Sequence, residues 1–460
     1  MQRRSFIQLG ALGTLFTLPA YRGLSTMISG QSGIIELKRE IPVVGEYDIV
    51  VCGAGPAGVS AAIEAGRNGA KILLVETHGC LGGIWTAGLL TWILDHINQP
   101  GLIREIEHKL VAGGAVSQDI DTGGPLSFDP EIMKLLLEEL CLEAGVDILL
   151  HTRVVASIKD GKNMLTHIIT ESKSGREAFR GKVFIDSTGD GDIAALSGCG
   201  YELGREGDGA LQPFSLLALV TGINFDEIRE YSRWTGIPGD ASKSNLLAEI
   251  NRAGAYPSYM NPSLHPIRKD LFKFMANHEY GYSPLSSLDV TKATLNARKE
   301  INNIVKALRS NGGIWKNLRI VATGEQIGTR EGRRIHGLYT VTVEDMIKGS
   351  RFDDAVCRVS GGVNVHSVSM DDMEAAKMGR GYSPGIKTQE YDIPIRSLIA
   401  KDVGGLLMAG RCISGDFLAH SKYRNTGYAV PMGQSAGRVA AISSRKNILP
   451  QEVHFQSLGL

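Results

Sequence analysis

Tyr47-Asp48-Ile49-Val50-Val51-Cys52-Gly53-Ala54-Gly55-Pro56-Ala57-Gly58 decides the fold. An apolar strand runs straight into G-x-G-x-x-G, and a small-residue helix, Val59-Ser60-Ala61-Ala62-Ile63, follows. A side chain at Gly53, Gly55 or Gly58 would block the tight turn and the approach of backbone to an anion. Pro56 and Ala57 then open a helix whose free N–H groups and positive dipole end suit a pyrophosphate. A second apolar strand, Lys71-Ile72-Leu73-Leu74-Val75, ends in Glu76, 18 positions after Gly58. A carboxylate there accepts hydrogen bonds from ribose hydroxyls and repels a 2′-phosphate. Strand, glycines, helix, strand and acid in this order predict a Rossmann-like dinucleotide-binding unit.

The fingerprint alone does not choose between NAD and FAD. The run Gly79-Cys80-Leu81-Gly82-Gly83-Ile84-Trp85-Thr86-Ala87-Gly88 does, because Gly82 and Gly83 let backbone pass close to a large flat ligand beyond the adenosine half. FAD is therefore the expected cofactor.

Balanced charge, 49 basic against 49 acidic residues, gives no sign of nucleic acid or of an anionic membrane as partner. The 460 residues suffice for two or three domains with large cores. The six cysteines form no C-x-x-C and no zinc-like spacing, so they read as structural thiols. At the N-terminus Arg3-Arg4 precedes a short apolar run ending near Ala20. Residues 1–30 read as a twin-arginine-like signal segment. Export to the periplasm is expected, or membrane association through an uncleaved signal.

Alternating helical and strand patterns predict a parallel sheet. A helix is expected over 130–144, with strands at 146–150, 167–170 and 182–186. From about 205 the texture changes, with more aromatics and prolines and a long amphipathic helix near 290–309. Strands are expected at 318–322, 338–341 and 405–410, and a helix opening at Gly433-Gln434-Ser435-Ala436-Gly437. The domains expected are 44–204 for the first part of the FAD unit, 205–390 for an inserted α+β substrate cap, and 391–445 for the rest of the FAD unit.

Asp186-Ser187-Thr188-Gly189-Asp190-Gly191-Asp192 invites a metal reading. As a calcium loop it would need a Glu at its twelfth position, where Ser197 stands, so no metal is expected. The segment reads instead as a turn over the nucleotide, with Thr188, Gly189 and Asp190 close to it. Gly410 and Arg411 precede the helix expected at 433, whose N-terminus, with Gly433 and Gln434, would meet the flavin's pyrimidine carbonyl. His420 and Arg424 lie on the connection leading there. A third basic cluster, Arg330 with Arg333 and Arg334, would point cations at the cleft.

Taken together, these segments resemble the FAD-dependent oxidoreductases typified by a D-x-T-G-D-G-D strand end. The resemblance covers nearly all of 46–445 and includes Leu81-Gly82-Gly83, Thr329 to Ile335, Ile393 to Leu398 and Gly410-Arg411-Cys412-Ile413-Ser414. It is more distantly similar to fumarate reductase flavoproteins and other glutathione-reductase-type folds. The family usually carries Ser or Thr in place of Gly332 and Ala in place of Ser435. The resemblance implies FAD and leaves the substrate open.

No second G-x-G-x-x-G follows a strand, so no NAD(P)H domain is expected in the chain. Electrons would come from a small-molecule substrate and leave to a separate acceptor. Dehydrogenation of a CH–OH group on a sugar-like substrate is the first expectation. Its base would be His420 or His366, with His96 behind them. The alternatives are an ene reductase, clamping an unsaturated carboxylate with Arg330, Arg333, Arg396 or Arg424, and a flavin-bearing electron-transfer subunit.

Overall fold

The computed structural model describes residues 36, 38–121, 126–369, 371 and 385–454. The twin-arginine segment expected at 1–30 lies outside the described residues. Strand β1 (Val43–Cys52) is buried on both faces from Ile49 to Cys52, as a central parallel strand covered by helices must be. It turns into α1 (Pro56–Arg67), and β2 (Ile72–Val75) follows, buried throughout. Helix α2 (Leu102–Ala112) precedes α3 (Pro130–Glu143), which opens at Asp129, whose side chain accepts from the Glu131 N–H. Then come β3 (Val146–Leu149), β4 (Arg153–Lys159), β5 (Leu165–Ser172) and β6 (Gly175–Asp186).

These strands form one mixed sheet in the order β3-β2-β1-β6-β5-β4, and a late strand joins it beside β6. The late strand (Leu406–Met408), like β1, β2 and β3, runs parallel to its neighbours. Strands β4 and β5 return antiparallel along the outer half of β6. Register decides what the sheet's carboxyl edge presents. Val75 pairs with Cys52, Cys52 with Asp186, and Asp186 with Met408, so four strand ends stand in one row. Glu76, Gly53, Ser187 and Ala409 therefore leave the sheet side by side, although they span more than 350 residues of sequence.

A second sheet is wholly antiparallel. It comprises β7 (Ala218–Thr221), β8 (Ser263–Arg268), β9 (Leu271–Met275) and β10 (Arg319–Thr323), in the order β8-β9-β7-β10. Two helices, α4 (Gly239–Arg252) and α5 (Ser287–Ser310), bury their stripes in the same apolar cluster as this sheet. In α5 the stripe is Ala293, Ala297, Ile301, Ile304, Val305 and Leu308, at the spacing of one helical face. Leu295, read from sequence as part of that pattern, is 59% exposed.

The cores divide differently from the expected 205–390 cap. The second apolar core draws on residues between Phe214 and Ile327, with Ile120 from outside that span. Ile335, Met346, Val359 and Tyr391 pack in the first core, and Arg334–Ile335 pairs with Tyr201–Glu202. The chain has returned to the first core by about residue 335, well before 390. The strand expected at 338–341 is not formed, because only single bridges at Gly337 and Val341 hold that stretch.

After β11 (Leu406–Met408) come α6 (Phe417–Tyr423) and α7 (Thr426–Lys446). The helix expected to open at Gly433 thus begins at Thr426. Gly427 and Pro431 sit inside it. Gly427 is needed because a Cβ there would lie 2.4 Å from the Leu94 carbonyl oxygen. Among the described residues no helix is long and apolar enough to cross a membrane.

Candidate active site

A cavity of about 410 Å³ opens along the carboxyl row of the first sheet. Ligands of open α/β sheets bind at such edges. Gly53, Gly55, Pro56, Ala57, Glu76, Gly83, Thr188, Gly189, Asp190, Gly410, Arg411 and Arg424 all line it. The three fingerprint glycines differ in what they do. Gly53 has φ +92°, and a Cβ there would lie 2.6 Å from the Ser187 carbonyl oxygen. A Cβ on Gly58 would lie 1.8 Å from the Gly53 oxygen, so Gly58 closes the turn and does not line the cavity. A Cβ on Gly55 would meet nothing within 4 Å. Gly55 also caps α1 without a side-chain acceptor, so the first-turn N–H groups have no side-chain partner there.

Glu76, 6% exposed, accepts from the Ala54 N–H at 2.6 Å and the His78 N–H at 2.9 Å. Each carboxylate oxygen keeps a lone pair for a ribose hydroxyl. Asp186 is a brace rather than a ligand group. It accepts from the Thr188 N–H and hydroxyl and from the Ala194 N–H, and burial pushes its pKa up to about 6. Among the described residues no His, Cys, Asp and Glu cluster could hold a metal ion.

At the far end the cavity meets the start of α7. Asn425 and Thr426 line it, and the Thr426 hydroxyl, on a residue 8% exposed, has no hydrogen-bond partner. Arg411 places one guanidinium nitrogen 2.9 Å from Asp190 and leaves Nη1 unpartnered. Gln326, also in the lining, has an unpartnered Oε1. A bare helix start and polar groups awaiting partners at both ends fit an elongated dinucleotide. Gly53 to Ala57 would hold the pyrophosphate, Glu76 the ribose, and Arg411, Asn425 and Thr426 the flavin's polar edge.

Several expected site residues take other places. A Cβ on Gly82 would strike Thr86, so its role is in the loop. Gly433 and Gly437 lay α7 against α1, where a Cβ would come 2.1 Å from the Ala57 oxygen and 2.2 Å from the Ala61 oxygen. Gln434 accepts from the Leu102 N–H and donates to Glu64, away from the cavity. His420 is fully buried outside the lining. Its Nε2–H donates to the Arg411 carbonyl at 3.0 Å, and burial, then the Arg334 charge, holds it well below the usual imidazole range. His96 is bonded to Glu107. Arg333 donates to Asp192 and Arg396 to Asp354, so both candidate clamps are already paired.

Arg330 and His366 stand in a second group that shares Arg424 with the cavity wall. The segments at Phe214–Ser215, Glu279 and Gly328 run side by side, which brings His278 to Arg330. Arg330 donates to the Ser215 hydroxyl and to His278 Nε2, each at 3.0 Å. A guanidinium only donates, so His278 Nε2 must accept and its proton sits on Nδ1, facing the Tyr280 hydroxyl at 3.1 Å. The His278 ring lies 4.1 Å from that of Tyr259 and 5.2 Å from that of His366. Gln212 Oε1 accepts from the His366 N–H and from Arg424 Nη2. The His366 imidazole itself makes no hydrogen bond among the described residues. Burial, then the Arg330 charge, holds it well below its ordinary pKa.

Sequence reasoning missed Thr152, Arg153, Asn425 and Thr426 in the cavity, and Gln212, Tyr259 and His278 in the second group. Thr152 and Arg153 follow the end of β3, the next strand in the parallel row, which was a usable signal. Asn before Thr at 425–426 was an N-cap signature. Nothing local marks Gln212, Tyr259 or His278.

A parallel-stranded α/β sheet with a glycine turn, a ribose-side carboxylate and a helix start at either end of one cavity defines a nucleotide-cofactor enzyme. The chain belongs to the FAD dependent oxidoreductase family, whose model matches residues 48–459. FAD is its cofactor. It is similar to the thiamine thiazole synthase of Aeropyrum pernix, 31% identical over 22% of this chain and 36% of that protein. It is also similar to digeranylgeranylglycerophospholipid reductase 1 of Methanococcoides burtonii, 31% identical over 25% of this chain and 30% of that protein. The chain thus spans about a third of the length of these curated relatives. Among solved structures it resembles a geranylgeranyl bacteriochlorophyll reductase-like protein of Thermoplasma acidophilum. The identity is 13%, with TM-score 0.45, over 90% of this chain and 82% of that one. A flavin-dependent brominase matches over the same shares at 13% identity with TM-score 0.47.

Proposed function

We propose that this flavoenzyme, of glutathione-reductase type, dehydrogenates a CH–OH group of a small sugar-like substrate and passes the electrons to a separate acceptor. The observation that carries the reading is the His366 imidazole, uncharged and without a hydrogen bond among the described residues, on a residue that shares the Gln212 Oε1 acceptor with Arg424 of the cavity wall. When bound, FAD supplies the acceptor for two electrons and a proton moving together as hydride. His366 takes the hydroxyl proton, leaving the C–O bond as a carbonyl. Arg424 holds the oxygen-rich end of the substrate and keeps positive charge beside the ring. The second sheet with α4 and α5 serves as the substrate cap and keeps water from the chamber. His420 fixes the Arg411 carbonyl rather than acting as base.

Arg330 and Arg424, which make no ion pair among the described residues, favour a second reading, reduction of an unsaturated carboxylate. Anaerobic stopped-flow separates the two. A hydroxylated substrate that bleaches the oxidised flavin supports the first. Reoxidation of dithionite-reduced flavin by an enoate, with no bleaching by alcohols, supports the second. Export is part of the same proposal and rests on Arg3-Arg4 before a short apolar run. Arg3→Lys/Arg4→Lys protein should stay in the cytoplasm, and unchanged export would dismiss the twin-arginine reading.

A further inference from the structure

The second group has an unusual balance of donors and acceptors. Arg330 and Arg424 are both half-buried, and neither makes an ion pair among the described residues. Their hydrogen bonds go to neutral groups: Pro213 O, Ser215 and His278 for Arg330, and Gln212 and Asn364 O for Arg424. Glu331, the nearest carboxylate in sequence, is itself paired with Arg334. The Glu331 and Asp95 charges favour the charged form of Arg424 without touching it, and withdrawing a guanidinium from water without a contacting counter-charge is costly. Here burial presses Arg330 down to about 10 and Arg424 to about 9, values at which both still carry charge at neutral pH.

Two donors nearby are left over. Gln212 is 1% exposed, and its Oε1 already accepts twice, which fixes the amide so that Nε2 is the outward donor; that Nε2 has no partner. Arg424 Nε is likewise unpartnered. The carbonyl and hydroxyl acceptors around these groups are spent on the arginines' other nitrogens. What remains is a cluster of two cations and two orphaned N–H donors with a neutral imidazole beside them, and its Arg424 lines the cofactor cavity.

We propose that this chamber binds the substrate through a carboxylate, gripped by Arg424 and the Gln212 amide with Arg330 supplying the second positive charge. This rests on reading the chamber as the substrate site, and names the substrate class as hydroxy acids rather than neutral polyols. A planar carboxylate accepts from an arginine fork and an amide at once, which a hydroxyl cannot do. Tyr259 and His366 then face the rest of the molecule. His278 is a positioning residue, because its Nε2 lone pair is engaged by Arg330 and is not offered to the substrate.

The test uses the FAD-loaded enzyme and a non-reactive pair of probes, butanoate and its uncharged amide butanamide. Perturbation of the flavin spectrum, or calorimetry, reads the binding. Butanoate should bind and butanamide should not. Arg330→Gln and Gln212→Leu should each weaken butanoate by about 10–100-fold with flavin content unchanged. Equal binding of acid and amide by the wild-type enzyme overturns the proposal, and needs no variant to fold. Equal binding of butanoate by wild-type and both folded variants overturns it too. If butanoate binds as expected but no hydroxy acid bleaches the flavin, the dehydrogenase reading fails and the carboxylate site stands. If neutral polyols reduce the flavin and butanoate does not bind, the site fails and the dehydrogenase reading stands.

Discussion

The cofactor cavity and the arginine chamber sit against one another, share Arg424, and are built by opposite means. In the cavity the work is done by backbone and by absent side chains: Gly53 for its positive φ, Gly55 for open space, and the bare starts of α1 and α7. Parallel register gathers these parts into one row. In the chamber the work is done by side chains from distant segments, with Gln212 and Arg424 each keeping an unpartnered N–H and His278 locked by Arg330. Backbone sites are set by local turns and therefore recur as motifs. Side-chain sites are set by who meets whom after folding.

If that contrast is right, Gly55→Val should give a folded protein with no bound flavin, since its side chain would fill open space. Gly58→Val should lose both fold and flavin, because the new atoms collide with the Gly53 carbonyl. Flavin absorbance and thermal melting read the two apart, and a yellow Gly55→Val protein breaks the assignment. In the chamber the effects should be kinetic. His366→Ala should keep FAD and slow flavin reduction by about 10²–10⁴-fold. His420→Ala should instead weaken folding and FAD retention, because it deletes the donor to the Arg411 carbonyl. A folded, loaded His420→Ala protein slowed as much as His366→Ala would exchange their roles.

A smaller effect sharpens the positioning claim. His278→Phe removes the acceptor for Arg330, so KM should rise about 10-fold with kcat little changed. His278→Asn, which can restore an acceptor, should recover part of it. The smallest test is of stability. Burial, then the nearby Glu300, raises Glu279 from 4.5 to about 7, so the folded chain binds this proton more tightly than the unfolded one. The stabilisation is complete below about 4.5 and is lost as pH rises through about 7. Glu279→Gln has no such loss, so its melting temperature should gain on the wild type by about 1–2 °C between acid and mildly alkaline pH.

Legibility followed the same division. The strand–glycine–helix–acid order placed β1, α1, β2 and Glu76 correctly, because local turn chemistry and an apolar period suffice to specify them. The stripe of α5 was readable for the same reason, apart from Leu295. The start of α7 was not, since the need for Gly427 shows only when the Leu94 backbone is seen against it. Gly433 and Gly437 carried a true glycine signal with a different cause, the close approach of two helices rather than of a ligand. His420 looked better placed than His366 from its nearness to the late helix. Only packing shows that the His420 ring donates to the Arg411 carbonyl while the His366 ring makes no hydrogen bond among the described residues.

The sequence by itself determined a dinucleotide-binding α/β unit with FAD as cofactor, because each part of that unit is specified within a few residues of its neighbour. The tertiary structure alone decided which polar atoms remain unpaired in the chamber. Whether Arg330, Arg424 and Gln212 have spent their hydrogen bonds depends on contacts across 52 to 212 residues of chain. No local pattern encodes that distance.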